Sequence, residues 1–340
     1  MLFYENLEEI IFSRHETHDC DELVILSGYV GPTPVHRLGT LPVKSTVIYG
    51  MYGSEGIQRK LHTALVSENQ ELEDVDVLYS TIPIHSKCYV WKKDGKVVHA
   101  LVGSANFSVN GLTMPYKEVL AETTTDTFYP LNTYLNSILA KSISCEDAVF
   151  KENKRRSREE EDLPGAEYNR DICTVPLYVM DKGQSVVPKS SGLNWGMASL
   201  NGSHVNINDA YFPITKKLVR RYPALFPIKQ TTPEDLSSTA RKGHRHNDNI
   251  EIIWDDGTTM TGLLEGSQDI EIEGITGKYP KQISTTPNKS TLGMYMRERL
   301  GIKEGEFVTY EDLLAYGRTS VDISLMGEGI YYFDFSVKSE

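Results

Sequence analysis

IHSKCYVWKKDGKVVHALVGSANF, residues 84–107, decides how the rest of the chain reads. Asp94-Gly95 splits it into two apolar-rich runs and is a strong two-residue hairpin turn. If Lys93 pairs with Lys96 across that turn, position 87 faces 102 and position 85 faces 104. Directly opposed residues share a face, and side chains alternate faces along a strand. This register predicts His85, Lys87 and Ser104 on one face at one end of the hairpin, with Asn106 just beyond. His99 falls mid-strand on the opposite face.

Each half of the pattern is weak alone. A His-x-Lys tripeptide is usually an edge-strand histidine with a solvated lysine, and Gly-Ser-x-Asn is usually a turn. One well-formed hairpin joining the two is far more specific. The combination resembles the signature of the phospholipase D superfamily, His-x-Lys, a spacer, then Gly-Ser-x-Asn, with His85, Lys87, Ser104 and Asn106 matching one for one. The superfamily usually carries an Asp five residues after the lysine. Lys92 stands there, and the nearest acid is Asp94 in the turn. Nuclease branches often lack this Asp, so the departure weighs against a lipid-processing member. A Glu commonly follows the asparagine on the next strand, and Glu118 occupies that place, where it otherwise reads as an exposed carboxylate.

The resemblance implies a definite chemistry. A neutral imidazole nitrogen of His85 attacks phosphorus and gives a covalent phosphohistidine, splitting one hard step into two. Lys87 and the Asn106 amide hold the non-bridging oxygens, Ser104 fixes orientation, and Glu118 sets the tautomer of His85. No metal or other cofactor is implied. A second histidine must protonate the leaving oxygen, yet no second motif exists. His204 follows Gly202-Ser203 in the wrong order, and the 240–246 run with His244 and His246 has no companion. The expected active unit is therefore a homodimer with one shared site.

Charge and composition set the class. The 340 residues carry a net charge of −12, which restrains indiscriminate DNA binding without excluding DNA. The most basic stretch runs from Lys216 to His246. Half of its charges are ordinary solvated surface on general expectation. No apolar run approaches a membrane span, and the first five residues do not read as a signal peptide. Four cysteines without ligand or paired spacing read as free thiols of a cytoplasmic protein.

The first half alternates strands at 23–30, 43–49 and 119–123 with helices at 57–66 and 128–143, an α/β pattern. A charge-dense segment ending in Pro164-Gly165 reads as a linker, giving expected boundaries of 1–147, 148–171 and 172–340. The second half holds short strands at 173–179, 250–254, 258–264, 269–272, 307–308 and 330–335, a hairpin tip at Asp255-Asp256-Gly257, and helical pieces at 216–222, 291–300 and 310–316. That is a mostly β barrel.

Ser191–Gly196, Asn208–Ile214 and Arg299–Gly301 through Tyr316–Arg318 resemble the carboxy-terminal half of NgoFVII-type restriction endonucleases. The resemblance implies an α/β phospholipase D-like N-terminal domain joined to a mostly β pseudobarrel C-terminal domain of the plant B-three type. It also implies homodimeric, metal-independent cleavage of double-stranded DNA at a short GC-rich asymmetric site. A cognate DNA methyltransferase belongs to such a system, and an ATP-hydrolysing translocase subunit is a further expected partner. Two loops of that fold enter the major groove. The first corresponds to 189–206, with Lys189, Asn194, Trp195, Asn201 and His204. The second corresponds to 278–289, with Lys281, Gln282, Thr285, Asn288 and Lys289. Amide and lysine side chains suit base edges and phosphates, although each is also an ordinary loop residue. A lipid phosphodiesterase, a nonspecific nuclease with an accessory β domain and an idle DNA-binding module are the competing classes.

Overall fold

The structure, a computed structural model, describes residues 1–149, 172–201, 205–229, 247–272 and 274–337. The chain divides into two compact units, Met1–Ala166 with Met326–Ile330, and Glu167–Leu325 with Tyr331–Glu340. Most of the expected linker lies outside the described residues.

The first unit contains strands β1 (Leu2–Phe3), β2 (Glu22–Ser27), β3 (Lys44–Tyr49), β4 (Val75–Ser80), β5 (Lys87–Lys93), β6 (Lys96–Gly103), β7 (Leu120–Glu122) and β8 (Ser142–Ser144). Helices α1 (Leu7–Ser13), α2 (Pro32–Leu38), α3 (Tyr52–Glu55), α4 (Arg59–Glu71), α5 (Val109–Thr113) and α6 (Phe128–Leu139) accompany them. The strands form one sheet in the order β1-β7-β6-β5-β2-β3-β4-β8. β2, β3 and β4 run parallel, whereas β5 and β6 form the expected antiparallel hairpin beside β2. Leu23, Val24, Ile25 and Leu26 are all fully buried, so the centre of the sheet is covered on both faces. On one face Val24, Leu26, Val90 and Ala100 meet Leu135 and Ile138 of α6. Each such fully buried aliphatic side chain contributes about 1.5–3 kcal/mol. The reading of 128–143 as one helix is corrected here: α6 stops at Leu139, and Ser142–Ser144 instead pairs with β4.

His99 pairs with Trp91 and so shares the sheet face of Lys87, not the opposite face expected, because one extra residue in β6 shifts the register. Its ring lies 4.2 Å from that of His18 and 5.3 Å from that of Trp91. It is 7% exposed, and its Nε2 has no hydrogen-bond partner among the described residues. Burial, with His18 beside it, pulls its pKa down from the ordinary 6.5 to about 4. The unfolded chain therefore binds the extra proton in that window. The contribution is intact above pH 6.5 and fades as pH falls towards 4, by up to about 3 kcal/mol. Thermal midpoints across this range should fall with acid, and His99→Phe should flatten the slope. An unchanged slope in the variant would refute the assignment.

The second unit contains β9 (Ile172–Pro176), β10 (Val179–Asp181), β11 (Gln184–Val186), β12 (Phe212–Pro213), α7 (Lys216–Arg221), β13 (Asp248–Trp254), β14 (Thr259–Glu265), β15 (Gln268–Ile272), β16 (Ile275–Tyr279), β17 (Gln282–Thr285), α8 (Ser290–Leu300), α9 (Tyr310–Tyr316), β18 (Ser320–Gly327) and β19 (Ile330–Asp334). Its main sheet runs β12-β17-β14-β13-β19-β18-β9. In a flat sheet β12 and β19 would lie about 19 Å apart, four strand spacings. Yet the rings of Phe212 and Phe333 are 6.0 Å apart, so the sheet curls around its core towards a barrel. The Asp255-Asp256-Gly257 tip joins β13 to β14 as expected. Residues 307–308, expected as a strand, form none, because the Val308 peptide is bonded by the Asn194 side chain rather than by a neighbouring strand.

Candidate functional site

The sheet order gathers three chain segments at one edge. β2 ends where antiparallel β5 begins, and β6 finishes beside the start of β5. Gly50 N donates to Ser27 O at 2.8 Å and Ile84 N donates to Gly50 O at 2.9 Å, tying the end of β3 and the approach to His85 onto the same edge.

The hairpin register differs from the expected one. Lys93 does pair with Lys96, but an irregularity between Trp91 and Lys92 shifts the rest by one residue, so Lys87 faces Gly103. One extra residue on one strand is a bulge, and it inverts the face argument beyond it. Ser104 is accordingly not beside His85 and Lys87. Its Oγ accepts from Val119 N at 3.1 Å, and it is exposed. Ser104 holds the segment that carries Glu118 instead.

His85 and Lys87 do meet. Lys87 Nζ donates to His85 O at 2.7 Å and lies 2.9 Å from His85 Nδ1. Lys87 is 5% exposed, and burial lowers its pKa. Glu118 does not bond the imidazole: the hydrogen-bond partner of the His85 ring is Lys87. Glu118 acts on the site through its charge, which favours the protonated form of Lys87.

Asn106 reaches the site through β2. Its Oδ1 accepts from Tyr29 N at 3.2 Å and lies 3.4 Å from Ser27 Oγ. That leaves its Nδ2 as the donor end of the amide. Ser27 Oγ also donates to Tyr29 O at 2.6 Å and accepts from Phe107 N at 2.9 Å. Tyr89 OH donates to Ala105 O at 2.8 Å from inside the sheet. A Cβ on Gly111 would lie 2.3 Å from Asn106 O, so only glycine lets α5 pack against this peptide. The Tyr29 ring meets His85 edge-on at 6.2 Å, and its OH donates to Glu55 Oε2 at 3.0 Å. Burial, reinforced by Glu55, pushes the Tyr29 phenol up to about 12, so it remains a donor at neutral pH.

Ser27, Tyr29 and Glu55 were not singled out from the sequence. No linear spacing links them to residues 84–107. Only the adjacency of β2 and β5 does, and the Ser-Gly-Tyr at a strand end was the available signal. The other described histidines with ring partners are engaged elsewhere: His36 Nδ1 with Glu68 at 2.9 Å, His62 Nδ1 with Tyr79 OH at 3.0 Å, and His18 against His99. Among the described residues no cluster of histidine, cysteine and carboxylate groups could hold a metal ion.

In the second unit the expected arms divide. Asn194 is corrected to a structural role. It is 1% exposed, its Nδ2 donates to Pro188 O and Val308 O, and its Oδ1 accepts from Val308 N and Arg297. Thr285 is likewise 1% exposed and donates to Asn288 O at 2.7 Å, leaving it no reach to a base. Gln282 and Lys289 converge on the buried carboxylate of Glu265, with Lys289 Nζ 2.8 and 2.7 Å from its two oxygens. Lys289 also lies 5.0 Å over the Trp195 ring. Lys189, Lys281 and Asn288 are exposed. His204 and the Asn201 side chain lie outside what is described. Lys216, Lys217, Arg220 and Arg221 lie exposed on α7, whereas the basic stretch beyond Lys229 is also outside it.

Comparison with known proteins supplies the context. The profile for the NgoFVII restriction endonuclease N-terminal PLD domain matches residues 5–151, and that for the NgoFVII C-terminal B3-like DNA-binding domain matches residues 167–327. No curated protein matches in sequence. Among solved structures, NucT from Helicobacter pylori is 19% identical with a TM-score of 0.33, and the match covers 42% of this chain and 97% of that one. Nuc from Salmonella typhimurium, a phospholipase D family member, is 11% identical with a TM-score of 0.29, over 40% of this chain and 88% of its own. Polyphosphate kinase from Porphyromonas gingivalis is 13% identical with a TM-score of 0.29, over 44% of this chain and 23% of its own. With a phospholipase D-like nuclease domain followed by a B3-like DNA-binding domain, the chain belongs to the NgoFVII restriction endonuclease family.

Proposed function

We propose that this chain is a sequence-specific endodeoxyribonuclease that works through a covalent phosphohistidine, without a metal, at one site shared by two copies of the chain. The observation that carries the reading is the meeting of His85, Lys87 and Asn106 at one sheet edge, with Lys87 bonded to His85 and the Asn106 amide held by Tyr29 N. A phosphate arriving there competes for the Lys87 ammonium and frees the imidazole nitrogen it now faces. That nitrogen attacks phosphorus, the P–O bond to the leaving oxygen breaks, and His85 of the partner subunit gives the leaving oxygen its proton. Water then attacks phosphorus, its proton passes to the partner's His85, and the P–N bond breaks. Lys87 and Asn106 Nδ2 meet the negative charge that builds on the non-bridging oxygens. The single motif per chain supports the shared site.

Recognition falls to the B3-like domain, with domain limits of 1–147 and 172–340. Lys189, Lys281 and Asn288 are its exposed candidates, while Trp195, Gln282 and Lys289 act as one group around Glu265. The family resemblance carries over a short GC-rich site, a cognate methyltransferase and a translocase subunit. Among the described residues no helix is long and apolar enough to cross a membrane.

The test is cleavage of mixed plasmid DNA in EDTA without ATP, followed by sequencing of the ends. Cuts at a fixed distance from one short sequence, at a rate chelation does not change, are expected. Basal cleavage that EDTA abolishes and magnesium restores would overturn the mechanism. Metal-free cuts at unrelated sequences would leave a nonspecific nuclease with an accessory β domain.

A further inference from the structure

Gly28, between Ser27 and Tyr29, is a glycine that neither conformation nor packing explains. Its backbone is outside the left-handed region that favours glycine. A Cβ built on it would also clash with nothing. The nearest atoms would be Asn106 Oδ1 at 3.4 Å, Lys87 Nζ at 3.4 Å and His85 Cδ2 at 3.5 Å, all ordinary contacts. Gly50, at the end of the next strand, is different: a Cβ there would lie 2.2 Å from Ile84 O, so packing alone forbids it.

The three atoms around Gly28 come from two chain segments, the His85–Lys87 stretch and that of Asn106, and belong to the three groups assigned to the reaction. A methyl group at this point would therefore stand among the nucleophile, the cation and the amide. An oxygen hydrogen-bonded to Lys87 sits about 2.8 Å from Nζ, so an oxygen bound on this side of Nζ would overlap that methyl group. We propose that the bare Cα of Gly28 forms the floor of the seat for the scissile phosphate, and that glycine stands there to leave room for a non-bridging oxygen. Glycine is used in the same sense wherever a backbone must come close to a ligand. The inference rests on the nuclease reading above, and it assigns to β2 a wall of the site that the His-x-Lys and Gly-Ser-x-Asn segments do not supply. Tyr29 N fixes Asn106 from the same strand end, so the floor and the donor are set by one backbone segment.

The experiment uses the full chain and inorganic phosphate as the probe. Gly28→Ala should keep its thermal midpoint, because the added carbon meets its neighbours at ordinary distances. Its DNA cleavage should fall about a hundredfold, the usual cost of a small misplacement of reacting atoms. Orthophosphate should inhibit the unaltered enzyme competitively and the variant at least tenfold more weakly. In the unaltered protein labelled with 15N-glycine, orthophosphate should shift the Gly28 amide resonance saturably, a readout that needs no variant to fold. A cleavage-competent enzyme whose Gly28→Ala form cleaves and binds phosphate as before would overturn the floor and leave the nuclease standing. So would phosphate binding that leaves the Gly28 resonance unmoved. If the unaltered chain cleaves no DNA but orthophosphate still shifts Gly28, the seat stands and the nuclease reading falls.

Discussion

His85→Ala should lower DNA cleavage by more than about 10⁴-fold while leaving DNA affinity unchanged, because on the proposed mechanism it removes both the atom that attacks phosphorus and the acid offered to the partner's half of the reaction. The fold should tolerate it: His85 is exposed, and Lys87 keeps its bond to the His85 carbonyl, which alanine retains. Mixed dimers with one altered chain give the sharper measurement. If one site draws a histidine from each chain, such dimers are nearly dead. If each chain holds a complete site, they keep half of the activity, and the shared-site reading fails. Loss of DNA binding along with activity would make His85 structural.

Arg299→Met should destabilise the second unit by about 3–5 kcal/mol, since it leaves a buried carboxylate without its cation. The guanidinium meets Asp255 through two bonds, of 3.1 and 2.8 Å, and reaches Asp256 Oδ2 at 3.3 Å. Its Nη2 also donates to Tyr316 OH at 2.8 Å, and its face lies 5.7 Å from the centre of the Phe335 ring. These bonds hold the guanidinium pKa well above its ordinary value despite the opposing effect of burial. The Asp255 side chain is only 8% exposed, and without Arg299 it retains the donor Phe335 N. A fall of about 10 °C in the thermal midpoint is expected for a unit of this size. Arg299→Lys should recover only part of it, since an ammonium cannot make the paired contact. A midpoint within about 2 °C of the original would show the network to be ornamental.

The hairpin explains both what the sequence disclosed and what it withheld. Asp94-Gly95 reported the turn, and period-two alternation then placed Ser104 beside His85. That step failed because alternation carries no record of the bulge after Trp91. Asn106 lies near His85 and Lys87, but the segment leaving β2 holds it there through Tyr29 N, and strand adjacency is not written in local sequence. Glu118 lay at the right distance along the chain, and it acts on Lys87 through charge rather than on the His85 ring. In the second half the barrel was legible from its short strands and turns. Asn194 was not, because an amide that satisfies buried peptides and one that reads a base look alike in one dimension. Lys289 was legible as a cation but not as one already paired with the buried Glu265.

The Asp94-Gly95 turn has a practical consequence for anyone who wants to watch this enzyme work. It closes the hairpin at the opposite end from Lys87, six strand residues away, or about 20 Å. Gly95 itself has a φ of +72°, which favours glycine, but the space around it is open: an added Cβ would meet nothing within 4 Å. The tip is thus an insertion port: a fluorophore or a short reporter peptide grafted there should ride on the strand that follows His85 without reaching the site. Residues added at the tip lengthen the loop, whereas removing Val98 would erase the bulge and slide Gly103–Asn106 by one step against His85. The spacer works as a vernier, adjustable at its end and fixed at its bulge.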